Sequence, residues 1–181
     1  ILGMAMGSSE AVGYINPKGA LTGRINELAF APVDLNPNAP KDEWSGDAGV
    51  GAMYFSQQAV DHLARLFGFK FPKSMKLPER LKVVQEAMEK HDEKALRVYL
   101  MIGRYLANAA AWYREFYDYS NLMVLGRVTS GFGGEVILNT AKMGLEAVDP
   151  YLAEQIDIFM PDEKTRRLGQ SVAAAQIPVV A

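Results

Sequence analysis

A strand, a glycine-rich loop and a helix follow one another over residues 121–145, and this segment limits the possible fold more than any other. Its sequence is NLMVLGRVTSGFGGEVILNTAKMGL. The apolar run at 122–125 predicts a buried strand, and the amphipathic pattern after the glycines predicts a helix. In α/β proteins such a helix presents backbone N–H groups at the C-terminal edge of a sheet, where anions bind. Two interpretations stay open: a nucleotide or phosphate site, and a plain strand-to-helix connection whose glycines only turn the chain.

The rest of the chain shows β-like runs first and helical periodicity afterwards. The runs at 2–6, 11–15 and 20–30 predict an antiparallel meander, with the turn signal Asn-Pro-Lys-Gly at 16–19 between the last two. A long loop rich in proline and glycine covers 34–51, and helices are predicted at 53–67, 77–90 and 93–116. After residue 145 we expect a strand at 156–160 and a helix at 164–176. This order indicates one α/β layered domain over residues 1–181.

Composition excludes several classes of function. The 181 residues suffice for one domain, and 49% hydrophobic with 22% charged residues is typical of globular proteins. A net charge of −2 offers no electrostatic basis for binding nucleic acid or an anionic membrane surface. The chain has no cysteine, which excludes disulfides, thiolate zinc sites and cysteine nucleophiles. No apolar run reaches the roughly 20 residues that span a bilayer, so a soluble, cytoplasmic protein is expected.

Two further groups of residues could bind a ligand. The turn Gly7-Ser8-Ser9 lies between the first two strands, and its small residues could offer N–H and O–H donors to a phosphate. A hairpin turn without any ligand is the alternative. Glu27 lies at the end of a strand-like run and could accept hydrogen bonds from ligand hydroxyls, or be an ordinary solvated glutamate.

Motifs of other enzyme classes are missing. The two histidines, His62 and His91, have no second histidine one helical turn away, so surface positions are expected for both. The Walker A pattern, the dinucleotide fingerprint G-x-G-x-x-G and the nucleophile elbow G-x-S-x-G are absent.

Taken in order, the Gly-Ser-Ser hairpin, the Asn-Glu pair, the long helices and VLGRVTSGFGGEVIL resemble the C-terminal half of ROK-family sugar kinases, in the actin-like ATPase superfamily. The resemblance spans nearly the whole chain and implies a ribonuclease H-like (actin-like ATPase) α/β domain. It implies phosphoryl transfer from MgATP to a sugar hydroxyl. The catalytic base would belong to an N-terminal half, which would be the partner of this chain. The chain opens on Ile1 rather than methionine, which indicates either a piece of a longer polypeptide or a removed leader. Since the resemblance places the base outside this chain, we expect a fragment of a longer two-domain protein that is inactive alone.

The resemblance also assigns binding roles to individual residues. The segment ILGMAMGSSEAVGYI is similar to the second phosphate loop of the family, which implies that ATP phosphates contact Gly7, Ser8 and Ser9. INELAF is similar to its Gly-Glu-x-Gly-His segment, which implies sugar contacts for Glu27 and for Asn26, where the motif has glycine. LGRVTSGFGG is similar to its adenosine loop, which implies nucleotide contacts for Gly126, Thr129, Ser130, Gly131, Gly133 and Gly134.

The chain departs from the family at its zinc loop. The motif histidine and the cysteine and glutamate positions that follow it correspond to Phe30, Glu43, Ser45, Val50 and Ala52. We therefore expect no bound metal other than the magnesium that accompanies ATP. These changes leave two alternatives open. One is a non-catalytic sugar- or nucleotide-sensing module; the other is a structural domain, with the helix at 93–116 or the loop at 34–51 as the interface of a possible homodimer.

Overall fold

The computed structural model describes residues 1–21, 26–162 and 165. Its centre is a mixed sheet whose described strands are β1 (Leu2–Met6), β2 (Glu10–Tyr14), β3 (Asn121–Leu125) and β4 (Asp157–Phe159). The strand order is β2-β1-β3-β4. Strand β1 is antiparallel to β2 and parallel to β3, which is parallel to β4. The C-terminal ends of β1, β3 and β4 therefore meet at one edge of the sheet.

Helices follow the sheet hairpin in the order that the periodicity predicts. They are α1 (Gln57–Leu66), α2 (Leu77–Glu89), α3 (Glu93–Arg114), α4 (Phe132–Val148) and the single turn α5 (Pro150–Ala153). Local residues fix their starts: the Ser56 hydroxyl accepts from the backbone N–H of Gln58, and the Asp92 carboxylate accepts from those of Lys94 and Ala95. Within the described residues, no helix is both long and apolar enough to cross a membrane.

One face of the sheet carries the core. Leu2, Met4 and Met6 of β1 alternate with Gly3 and Ala5, and only the first three are fully buried. They share one hydrophobic cluster with the buried residues of α3 and α4. These two helices approach so closely at Gly103 that an added Cβ would lie 2.6 Å from the Cβ of Thr140.

The opposite face of the sheet, which we call the outer face, is apolar and only partly buried. It is formed by small residues of β1 and β2 and by larger apolar residues of β3, namely Gly3, Ala5, Ala11, Gly13, Met123 and Leu125. Its centre is a shallow trough of about 380 Å³. A trough floored by glycine and alanine allows another element to approach the sheet closely.

The structure departs from the sequence prediction in the third strand of the meander. Residues 28–30, predicted as the end of that strand, form a 3-10 turn, Leu28–Phe30. Leu28 and Ala29 are thereby buried, while the following segment pairs with residues near Gly51 through the bridge between Pro32 and Val50. Burial and this pairing override the strand propensity of the run. Residue 21 does bridge Ile15 in antiparallel fashion, and residues 22–25 lie outside the described part.

The helix predicted from residue 53 begins later, at Gln57, because Gly51–Met53 forms a second 3-10 turn. The final helix predicted at 164–176 falls on residues outside the described part, apart from Thr165.

Candidate functional site

The Gly7-Ser8-Ser9 turn lies where β1 ends. The backbone N–H of Gly7 donates to the carbonyl of Ser9 (2.9 Å), and the carbonyl of Gly7 accepts from the N–H of Gln57 at the start of α1 (2.9 Å). Ser8 and Ser9 are exposed, and neither hydroxyl has a hydrogen-bond partner among the described residues. The turn is thus held by its backbone while its two hydroxyls stay available to a ligand.

The glycine loop after β3 lies directly beside this turn. Gly126 has φ +112°, and an added Cβ would overlap the backbone of Met6. Beyond it, the N–H of Val128 donates to the carbonyl of Met6 (3.2 Å). Two segments that lie more than a hundred residues apart in the sequence therefore meet at the carboxyl ends of neighbouring parallel strands.

The hydroxyl groups of the glycine loop form hydrogen bonds within the loop. Thr129, which is buried, donates from Oγ1 to the carbonyl of Gly126 (3.0 Å), and Ser130 donates weakly to the same carbonyl (3.4 Å). Gly133 and Gly134 are buried in the first turn of α4, where a Cβ would overlap the ring of Tyr99 and the carbonyl of Thr129 respectively. Close packing is therefore sufficient reason for a glycine at each of these two positions, and their contact with a nucleotide stays a prediction.

An acidic side chain caps the N-terminus of α4. Gly131 precedes the helix at φ +72°, and the N–H of Phe132 donates to Oε1 of Glu89 from α2 (3.3 Å). Glu135 adds a second carboxylate in the first helical turn. The positive end of the α4 dipole is therefore already neutralised, which disfavours a phosphate at this position.

A cavity of about 470 Å³ opens next to this helix end. Its lining combines apolar, aromatic and acidic groups, including Glu89, Val124, Thr129, Phe132, Glu135 and Met160. The exposed surface of this cavity is more polar than apolar. Its two carboxylates can accept hydrogen bonds from ribose hydroxyls and the ring of Phe132 can contact a heterocyclic base, whereas the carboxylates disfavour phosphates.

The residues predicted to contact sugar lie just before the first 3-10 turn. Asn26 is half-buried, and its side-chain oxygen has no hydrogen-bond partner among the described residues. Glu27 is exposed. The turn that follows packs on Gly51, where a Cβ would overlap both the carbonyl of Leu28 and a carboxylate oxygen of Glu10.

Glu10 is the residue that sequence reasoning missed. Its side chain is only 5% exposed, and neither carboxylate oxygen has a hydrogen-bond partner among the described residues. Burial raises its pKa to about 8. On α3, burial and then the charge of Glu10 raise the pKa of Tyr113. The sequence did contain a signal for this burial. Glu10 lies two and four residues before Val12 and Tyr14 in β2, so all three share one face of the strand, and Tyr14 on that face is buried in the core.

The structure buries two of the altered zinc-loop positions and leaves Glu43 and Ser45 exposed. Val50 and Ala52 are buried, and the ring of Phe30 packs against that of Trp44 at 5.5 Å. Within residues 1–21, 26–162 and 165, no three His, Asp or Glu side chains lie close enough together to hold a metal ion. His62 and His91 are both exposed, as expected.

Comparison with solved structures identifies the class to which this fold belongs. No protein-family model and no curated protein matches the sequence. A ROK family glucokinase from Streptomyces griseus, solved with glucose and AMPPNP, matches 88% of the chain with a TM-score of 0.67 at 18% identity. A ROK hexokinase from Thermus thermophilus matches 90% with a TM-score of 0.63 at 15% identity.

A third match is not described as an enzyme. It is a ROK family transcriptional regulator, a homologue of the E. coli Mlc protein, which matches 88% of the chain with a TM-score of 0.65 at 15% identity. The chain spans 54%, 51% and 41% of the glucokinase, the hexokinase and the regulator. The fold is thus the α/β fold of ROK sugar kinases and regulators, and the chain covers about half of such a protein.

Proposed function

We propose that this chain is the nucleotide- and sugar-binding half of an ATP-dependent sugar kinase. The observation that carries the proposal is the meeting of the Gly7-Ser8-Ser9 turn and the Gly126 loop at the carbonyl of Met6. The carboxyl edge of a sheet is where α/β proteins bind their ligands. The likeness in fold to a glucokinase that binds glucose and AMPPNP supports the same assignment.

Local charge distinguishes the phosphate end of the nucleotide from the adenosine end. Ser8 lines a wide cavity of about 670 Å³ whose charged residues are mostly basic, with Lys41, Arg65, Lys73, Lys76 and Arg80 against Glu43 and Asp61. Arg65 and Arg80 pair with Asp61, which leaves the three lysines as the basic groups at this cavity without an ion pair among the described residues. The cavity beside α4 has two carboxylates instead. We therefore assign the phosphates to Gly7, Ser8 and Ser9, and adenosine to the loop of Gly126, Thr129, Ser130 and Gly131 with the cavity beside Phe132.

The sugar is assigned to Asn26 and Glu27. The exposed carboxylate of Glu27 can accept hydrogen bonds from sugar hydroxyls, and the amide of Asn26 can both donate and accept. In such a reaction, positioning and electrostatic stabilisation account for most of the catalysis. The described residues offer no cluster of carboxylates suited to Mg²⁺, so no residue of this chain is assigned to that ion.

The partner in this proposal is an N-terminal half that supplies the general base. The outer face supports such a partner, because Ala11 and Gly13 are exposed and Met123 is only half-buried. Covering this face would remove apolar surface from water. The isolated chain is therefore proposed to bind ligands without catalysing phosphoryl transfer.

Calorimetric titration of the chain with ATP, adenosine and inorganic triphosphate tests the proposal. We expect binding of ATP, and we expect Ser8→Asp to weaken ATP and triphosphate but not adenosine. Phe132→Ala should weaken ATP and adenosine but not triphosphate, which makes the two variants controls for each other. Absence of binding by all three compounds would refute the nucleotide assignment, and ATP-dependent sugar phosphorylation by the isolated chain would refute its inactivity.

A sensing module is the second candidate. It is favoured by the likeness to a ROK transcriptional regulator and by the apolar surroundings of Val50 and Ala52, where the family resemblance implies zinc and sugar ligands. The two candidates differ in turnover: when the chain is joined to its N-terminal half, a kinase converts ATP and sugar, whereas a sensor binds them unchanged.

A further inference from the structure

The wide cavity that Ser8 lines is basic, although the chain as a whole is weakly acidic. Its charged residues are five basic and two acidic, whereas the chain carries a net charge of −2. We call it the lysine cavity, because the basic residues that form no ion pair within the described part of the chain are Lys41, Lys73 and Lys76. All three are exposed. Two separate segments thus place three lysines around one cavity, which suits an anion with more than one charge.

Two polar groups in the walls of the lysine cavity are buried without a hydrogen-bond partner. Gln57 is only 2% exposed, and its side-chain oxygen has no partner among the described residues. Its backbone N–H donates to the carbonyl of Gly7 (2.9 Å), which fixes Gln57 against the turn that carries Ser8. In α2, the Nε–H group of Arg80 is buried and equally unpaired within the described part. Such groups cost free energy, so a polar ligand that completes their hydrogen bonds is favoured.

The position of the lysines along α2 separates them from the proposed adenosine site. Lys76 precedes this helix and lines the lysine cavity, whereas Glu89 ends it and lines the cavity beside Phe132. Thirteen residues at about 1.5 Å each place the two ends of the helix about 20 Å apart. A nucleotide with its base at Phe132 would have to extend along the whole helix to reach Lys76. The lysines therefore suit a phosphate group that belongs to a second ligand.

The lysine cavity is connected to the segment that we assign to sugar. The ring of Phe30, three residues after Glu27, packs against that of Trp44 at 5.5 Å, and the neighbouring Glu43 lines the cavity. Glu43 and His62 can bond to sugar hydroxyls. The C–H face of a sugar ring can cover the apolar part of the wall, which is formed by Met53, Met75, Leu77 and Pro78. Lysines for a phosphate and acceptors for hydroxyls together match a sugar phosphate.

We propose that the lysine cavity binds the phosphate group of a phosphorylated sugar. Lys41, Lys73 and Lys76 pair with the phosphate oxygens, and the amide of Gln57 forms a hydrogen bond with the ligand. The inference rests on the proposed function, because the sugar of that function then carries a phosphate group when it binds. Since this group adds charge-assisted hydrogen bonds, a sugar phosphate binds more tightly than its parent sugar.

Calorimetric titration of the chain with glucose, fructose and mannose, and with the 6-phosphate of each, tests the inference. We expect at least one 6-phosphate to bind at least about tenfold more tightly than its parent sugar, with an affinity that falls as salt is added. Lys73→Gln and Lys76→Gln should each weaken binding of that 6-phosphate about threefold to tenfold and leave the parent sugar unchanged. Lys70→Gln is the matched control, because Lys70 is exposed three residues before Lys73 and is not among the residues that line the cavity.

Three results would overturn the proposal. The first is equal affinity for the sugars and their 6-phosphates, or no binding of either. The second is equal affinity for a 6-phosphate and inorganic phosphate, which would show that the sugar is not recognised. The third is a loss of ATP affinity in Lys73→Gln as large as the loss of 6-phosphate affinity, which would assign the lysines to the nucleotide. Failure of the unmodified chain to bind ATP refutes the nucleotide assignment instead, and the 6-phosphate titration is read independently of it.

Gln57→Met tests the buried amide separately from the lysines. Methionine keeps the length of the side chain and removes the unpaired oxygen, so the free energy of unfolding without ligand should not fall in a urea titration. Affinity for the 6-phosphate should nevertheless decrease. If the variant is as stable as the wild type and binds the 6-phosphate equally well, the role of Gln57 is refuted.

Discussion

Replacing Glu10 by glutamine should make the protein more stable, by an amount that depends on pH. The carboxyl group is nearly inaccessible and has no described hydrogen-bond partner, and its pKa rises from 4.5 to about 8 on folding. Between these two pH values the unfolded chain is ionised at Glu10 while the folded chain keeps the proton. The stability contributed by the neutral acid is therefore complete below pH 4.5 and is lost as the pH rises through 8.

The size of the effect follows from the difference between the two pKa values. At about 1.4 kcal/mol per pH unit, a rise from 4.5 to about 8 corresponds to roughly 5 kcal/mol. Glutamine has nearly the same shape and does not ionise, so Glu10→Gln removes this dependence. The difference in free energy of unfolding between the variant and the wild type should increase by about 1.4 kcal/mol per pH unit between pH 5 and 8, in favour of the variant. Above pH 8 this difference should change little.

Urea denaturation of both proteins at pH 5, 6, 7, 8 and 9 measures this difference directly. Other titrating groups change both curves alike, so only the difference between the two free energies of unfolding is read. Parallel curves across the whole range would refute the reasoning, because they would mean that Glu10 is ionised in the folded protein. A difference that shrinks with pH would refute it as well.

Three other substitutions test the packing and the electrostatics. Gly103→Ala should lower the free energy of unfolding by about 1–3 kcal/mol in a urea titration, because its Cβ would meet Thr140 at 2.6 Å. Gly13→Ala is the control, because it adds a Cβ in open space and should change the stability little. Equal effects of the two substitutions would contradict the close α3–α4 contact. Asp92→Ala should cost about 1 kcal/mol in the same assay through loss of the α3 cap, and no loss would mean that the cap contributes nothing. Glu89→Gln should increase the affinity for inorganic phosphate in calorimetry, because it removes the negative charge that opposes the positive end of the α4 dipole, and unchanged affinity would contradict this.

Helices and parallel strands were the most predictable parts of this fold. The predicted helix at 93–116 is observed as Glu93–Arg114, and the strand at 122–125 as Asn121–Leu125. Both have long or uninterrupted apolar patterns and clear end signals, such as Asp92 before α3. Local sequence was sufficient where the apolar pattern is continuous and nearby residues mark the ends of the element, even though β3 forms its hydrogen bonds with β1 and β4.

The remaining features depend on residues that are distant in sequence. The run at 28–30 forms a 3-10 turn because its neighbours pair with residues near Gly51, which no local pattern reveals. Likewise, the indole N–H of Trp112 on α3 donates to the carbonyl of Pro32, eighty residues away. In the candidate site, the sequence alone predicted the glycine loop. It could not predict that Glu89 of α2 places a negative charge at the N-terminus of α4 beside that loop.

The close contact of α3 with α4 has a mechanical consequence. Gly103 lies against Thr140, and an added Cβ at Gly144 would come within 2.8 Å of Ala107, so neither helix can slide along the other without overlap. Such close packing favours movement of the two helices as one rigid body. One end of this body is the helix start at Phe132 beside the glycine loop, and the other is the turn of α3 that carries Trp112. A small rotation of the body at the loop would rotate that distant turn through the same angle.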